Sequence, residues 1–178
     1  MSDTIVNKFK CFWAWQDDKE EVWLGEKSAQ GLHLKYPGPF GQYIFEQGIP
    51  LKYAYRLDFV TKSRKNDEYL RLFQDAGWEH VGQMGGWQYW RKEIQDGKVP
   101  EIFTDRESKV QKYQRLLGYL IIFLPIFIVN IINIGDTLTR YEHWAIKMIY
   151  SIFYVIFPVY IYALLMISRR IITLKRRY

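Results

Sequence analysis

The sequence predicts an α+β domain, built from a duplicated strand-helix-strand-strand unit, followed by a two-helix transmembrane hairpin. Three observations predict it. Nearly all charge precedes residue 115, the long apolar runs follow it, and the charged front part carries one order of segments twice. The 178 residues are 49% hydrophobic and 18% aromatic, and a mean hydropathy of -0.23 averages two compositions suited to different solvents. Length alone sets an expectation of one or two folded units and excludes a large multidomain enzyme.

In the front part, KFKCFWAW at 8–15 reads as a strand, 17–30 as a charged helix, and GLHLKY (31–36) and QYIFEQ (42–47) as two further strands. The order then repeats: KYAYRLDF at 52–59, a helix at 66–76, and strands in GWEHVGQ (77–83) and GWQYWRKE (86–93). Trp23-Leu24 precedes Gly31 as Tyr69-Leu70 precedes Gly77, with the same spacing of eight. Each glycine suits the left-handed position just past a helix end. In the second helix Tyr69, Leu70, Phe73 and Ala76 form one apolar face; the first helix has a poorer one. Two such units predict a six-stranded, mostly antiparallel sheet with two helices on one face.

The domain is expected over 1–104, with a juxtamembrane helix over 105–115. Thr104 and Glu107 have capping-box spacing, and no Gly or Pro follows until Gly118, so the helix is expected to run on into the membrane, the alternative being a break at 113–116 that leaves a flexible tether. Residues 116–134 and 148–167 are runs of 19 and 20 residues without a charge, each able to cross about 30 Å of hydrocarbon. A loop over 135–147 joins them and a basic tail covers 168–178.

Basic residues set the orientation. Arg106, Lys109, Lys112 and Arg115 precede the first span, and Arg169, Arg170, Lys175, Arg176 and Arg177 follow the second, against Arg140 and Lys147 in the loop. Both termini are therefore expected in the cytoplasm, and the N-terminus lacks the pattern of a secretory signal. The front 115 residues hold 18 basic and 17 acidic side chains, so the excess positive charge belongs to the tail. That points to anionic lipid rather than nucleic acid. Within the spans Pro125 and Pro158 predict bends, and Asn130 and Asn133 are expected to meet Tyr150, Tyr154 and Tyr162 as polar packing between the helices.

The segments WQDDKEEVWL (15–24), GLHL (31–34), YRLDF (55–59), DAGWEHV (75–81), GGWQYWRK (85–92) and EIFTDRESKVQKY (101–113) resemble the DUF2812 family. That is a bacterial family of membrane-anchored proteins of unknown function, often encoded beside PadR-type transcription regulators. The resemblance covers roughly residues 8–115. It implies a cytoplasmic domain with C-terminal hydrophobic segments and brings no catalytic residues.

The chemistry-bearing residues point away from an enzyme and call for no metal or cofactor. His33, His80 and His143 have no paired-ligand spacing, and one cysteine excludes thiolate zinc sites and an intrachain disulfide. Cys11 reads as a packed thiol among aromatic neighbours. Asp17, Asp18, Glu20 and Glu21 read as carboxylates favoured by the positive end of a helix. The aromatic load is what exceeds structural need. Tyr53, Tyr55, Trp87, Tyr89 and Trp90 are expected either to line a surface, at a cleft between the halves, that binds a hydrophobic ligand or protein segment, or to fill the core. The function expected is a membrane-anchored cytoplasmic sensor or regulatory module with membrane lipids and a protein as partners. The alternative is an accessory subunit of a transporter or envelope-stress complex. A hydrolase would require Asp17, Asp18, His33 and His80 to converge.

Overall fold

Alternating side chains and turn glycines produce six short strands in the front part of the chain. The computed structural model describes residues 4–60, 66–95, 97–102, 106–140 and 143–176. It divides into two units, Met1–Lys112 and Tyr113–Tyr178, taken in turn. The first begins with β1 (Ile5–Phe9), α1 (Asp17–Ala29), β2 (Leu32–Pro37) and β3 (Gln42–Gln47), and continues with β4 (Tyr53–Phe59), α2 (Asn66–Asp75), β5 (Glu79–Met84) and β6 (Trp87–Glu93). Both sheets are antiparallel, with strand orders β1-β3-β2 and β4-β6-β5.

The duplication reaches into irregular detail. Gly31 and Gly77 end their helices at φ 81° and 78°, where a side chain would be strained. The next strand bulges in each half, between Leu34 and Tyr36 and between His80 and Gly82, three to five residues past the glycine in both. The helix aromatic packs on the middle strand at matching places: Trp23 on Phe45 at 5.8 Å, Tyr69 on Trp90 at 5.9 Å. Each contact buries a ring edge-on, the geometry aromatic pairs favour.

Three expectations are corrected. The first strand lies at Ile5–Phe9 rather than 8–15, and residues 10–16 turn the chain into α1 instead. The six strands form two three-stranded ladders, not one sheet. β2 and β5 adjoin, but Pro37 has no amide to donate and its Cδ lies 3.0 Å from where a Cβ on Gly82 would stand; proline and the two bulges end a ladder at that edge. Lastly, the helices do not share a face. Tyr89 reaches α1 through Glu20 while its neighbour Trp90 packs on Phe73 of α2, and consecutive strand residues point to opposite faces.

α1 also closes the free edge of β4. Glu21 Oε1 accepts the Leu57 amide at 2.8 Å, and Lys112 Nζ donates to the Leu57 carbonyl at 3.0 Å, so two side chains replace the missing neighbour strand. Gly25 permits the approach, since a Cβ there would lie 3.2 Å from the Tyr53 carbonyl. With Leu24 wholly buried and contacts on both sheets, α1 has no single apolar stripe because it is covered on more than one side.

In the second unit α3 (Arg106–Arg140) continues from the first without a break, with Pro125 inside it, and α4 (Trp144–Arg176) returns with Pro158 inside. Both are long and apolar enough to cross a membrane. The juxtamembrane helix and first span are therefore one element; Thr104 of the expected capping box lies outside the described residues. The expected loop is mostly helix, since α3 extends to Arg140, and the expected tail is helix to Arg176.

The hairpin packs through Phe127, against Phe153 at 5.9 Å and Tyr160 at 4.5 Å, and through the Tyr160 hydroxyl, which donates to the Leu120 carbonyl. The asparagines and tyrosines expected as polar packing take the following places. Asn130 and Asn133 donate to the Ile126 and Val129 carbonyls of their own helix, both at 2.7 Å, and Tyr154 and Tyr162 are half exposed. Tyr150 stands near Phe153 of its own helix. The apolar face has the matching period: Phe153, Phe157, Tyr160, Ile167 and Ile171 follow the heptad spacing of packed helices. Arg170 bonds the Tyr113 hydroxyl at 3.3 Å; Arg169, Lys175 and Arg176 are exposed, and Arg177 lies outside the described residues.

Candidate functional site

The first turn of α1 delivers three carboxylates to the inside of the first unit. Asp17 and Glu20 lie three apart on one face and Glu21 beside them, all drawn inward by Trp23 and Leu24 one turn on. Tyr43 of β3 and Tyr89 of β6 both donate to Glu20 Oε1, each at 2.7 Å. Lys112 Nζ donates to Asp17 Oδ2 at 2.5 Å, with both side chains less than a tenth exposed. Glu21 meets Arg56 at 3.5 Å, and Arg56 holds Glu101 at 2.8 Å.

Above Glu20 opens a cavity of about 280 Å³, bordered by Phe12, Trp13, Phe40, Tyr43, Trp87 and Tyr89, with Asp17, Glu20, Cys11, Leu57 and Met84 completing its walls. Its residues come from both halves of the duplication, so neither half makes it alone. At the rim Phe40 is 95% exposed and adopts φ 55°, ψ 33°, a left-handed conformation that costs a residue with a side chain on the order of 1 kcal/mol or more. Cys11 is exposed at the same rim, not packed as the sequence suggested, because the turn at 10–16 lifts it away from the sheet.

Burial governs the electrostatics. Desolvation raises Glu20 above the usual carboxylate range, and Asp17 adds to this, against the pull of the Tyr89 and Tyr43 hydrogen bonds. Desolvation pushes Glu21 up to about 7, although Lys112, the Leu57 amide and Arg56 pull it down. Both tyrosines are raised by burial and by the Glu20 charge, so at neutral pH they remain hydrogen-bond donors. A carboxyl group whose folded pKa lies above its unfolded value of about 4.5 stabilises most below that value, and the contribution is lost as pH rises through the folded pKa. The unit is therefore expected to lose stability between about pH 4.5 and 7, by up to roughly 3 kcal/mol from Glu21. Urea unfolding of the full chain across that range, with Glu21→Gln as control, checks it: the variant's curve should be flatter than the wild type's.

The five aromatic residues expected on one surface are divided. Trp87 and Tyr89 line the cavity. Trp90, wholly buried, points to the other face of β6 among Ala54, Phe73 and Trp78. Tyr55 is buried with its hydroxyl accepting the Leu34 amide at 3.2 Å. Tyr53 lines a second, more polar pocket of about 270 Å³ with His33, His80, Glu79 and Arg91. The strand period separates Trp90 from Trp87 and Tyr89, and distance along β4 separates Tyr53 from the cavity. His33 and His80 are thus in one pocket and Asp17 in another, while Asp18 is exposed. Among the described residues no group of three metal-ligating side chains occurs.

The sequence gives Glu20 and Lys112 other roles, a helix-end carboxylate and a membrane-flanking charge, and assigns none to Tyr43. The signal for Glu20 is its spacing of three and four from Trp23 and Leu24, which puts it on their face of the helix. A family model described as a protein of unknown function (DUF2812) matches residues 16–124, which contain most of the cavity wall. No curated protein and no solved structure matches the chain.

Proposed function

The chain belongs to the DUF2812 family, and since that description carries no activity, we propose from the site that it is a membrane-anchored regulatory module. It binds a small, largely apolar ligand in the cavity between its two halves. The observation that carries this reading is the aromatic-walled cavity whose floor is the buried Glu20 carboxylate. Pockets that combine apolar walls with one or two fixed polar groups are typical of small-molecule sites. Phe40 adds to it, because a strained, exposed aromatic at a cavity mouth stabilises nothing in the unliganded fold and is suited to closing on a ligand. The tyrosine hydroxyls, held as donors, orient the carboxylate instead of giving up protons, which favours binding over reaction.

The two apolar helices anchor the module, with both termini on the cytoplasmic side as the basic residues at 106–115 and 169–177 favour. The test is a screen of water-soluble aromatic fragments against the full chain in dodecyl maltoside, read by unfolding temperature. Compounds that raise it by several degrees in wild type should not do so in Met84→Trp, which fills the cavity from its wall. Retained shifts in that variant, or no shift with any compound, would overturn the proposal.

A further inference from the structure

The cavity carries more information than its shape, because its charges do not balance. Two carboxylates line it, Asp17 and Glu20. Asp17 is matched by Lys112 at 2.5 Å. Glu20, 7% exposed, receives two neutral hydroxyls, both on Oε1, and among the described residues no lysine, arginine or histidine pairs with it. Its second oxygen is what the cavity floor offers to an incoming group. A desolvated carboxylate without a counter-ion is costly as an anion and is relieved by a proton or by a cation brought from outside.

We infer that the ligand of this cavity is a small organic cation, an alkyl- or arylammonium whose charged nitrogen meets Glu20 while its apolar body lies among the rings of Trp13, Phe40 and Trp87. This rests on the reading of the cavity as a ligand site and names the class of ligand. Aromatic faces attract cations, most strongly for tryptophan and where water is excluded. Phe12 shows the tendency within this segment, with Lys10 Nζ standing 5.1 Å from its ring centre. An anion would face Asp17 and Glu20, and among the described residues no lysine, arginine or histidine lines the cavity to receive it; Lys112 is held by Asp17 and the Leu57 carbonyl. A neutral alcohol would satisfy the oxygen but leave the charge uncompensated.

Three compounds of nearly equal size separate these cases: phenethylammonium, 2-phenylethanol and phenylacetate. Each is titrated into the full chain in the uncharged detergent dodecyl maltoside, with binding read by calorimetry and by tryptophan fluorescence, to which Trp13 and Trp87 contribute. Phenethylammonium is expected to bind at least tenfold more tightly than 2-phenylethanol, with phenylacetate weaker than both. Glu20→Gln keeps an oxygen for the two tyrosines and should bring the cation down to the level of the alcohol. Should that variant fail to fold, the comparison of the three compounds on the wild type still decides. Equal or tighter binding of the alcohol would overturn the inference while leaving the cavity a ligand site. A cation preference that survives in folded Glu20→Gln would also overturn it, as would binding of none of the three, while the fragment screen with Met84→Trp decides the ligand site separately.

Discussion

Lys112→Met is expected to lower the stability of the aromatic-rich unit by about 3–5 kcal/mol, because it strands a buried carboxylate. Asp17 and Lys112 expose only 4% and 7% of their side chains, and the ammonium also satisfies the Leu57 carbonyl at the edge of β4. Without it, Asp17, Glu20 and Glu21 crowd one turn of α1, and a charge that pulls Glu21 down is removed. The double variant Asp17→Leu with Lys112→Met removes both charges and should recover most of the loss, since replacing a buried pair by apolar groups of similar volume is often neutral or stabilising. Denaturant midpoints of the two single variants and the double one form a cycle that measures this coupling. A Lys112→Met midpoint equal to wild type would show that the pair is not buried in solution.

The same pair explains what the sequence could and could not reveal. Local signals were sufficient where an element depends on its own residues: Gly31 and Gly77 ended α1 and α2 where expected, and QYIFEQ is β3 residue for residue. Longer-range partners were invisible. Lys112 lies 95 residues from Asp17 and Tyr89 lies 69 from Glu20, so local spacing alone presents acids that finish inside as groups favouring a helix end in water. The first strand lies earlier than its aromatic residues suggest, because those at 8–15 run on past Phe9, and aromaticity marks a turn that frames a cavity as readily as a strand. In the hairpin, Tyr160 lies on the heptad face and makes the bond to the other helix, a partner that its local sequence does not mark.

Trp90→Ala is expected to be the most damaging aromatic truncation, costing about 3–5 kcal/mol, a large part of the 5–15 kcal/mol that holds a typical domain folded. Trp90 is fully buried. Its ring meets Phe73 and His80 at 4.8 Å, and its indole N–H donates to the Tyr69 hydroxyl at 3.2 Å, which in turn donates to Asp58 at 3.1 Å. Truncation leaves a sealed void between β6 and α2 and removes one link of that chain. Trp87→Ala should cost less, although the two residues lie three apart on one strand. Trp87 packs on Phe59 at 5.4 Å but otherwise borders a cavity already open to solvent, so its removal enlarges an existing space instead of creating an enclosed one. Urea unfolding of both variants, followed by circular dichroism so that the lost tryptophan does not remove the signal, gives the ordering directly. If Trp87→Ala proves equal to or worse than Trp90→Ala, then Trp87 is a core residue and the cavity wall assigned to it does not exist in solution.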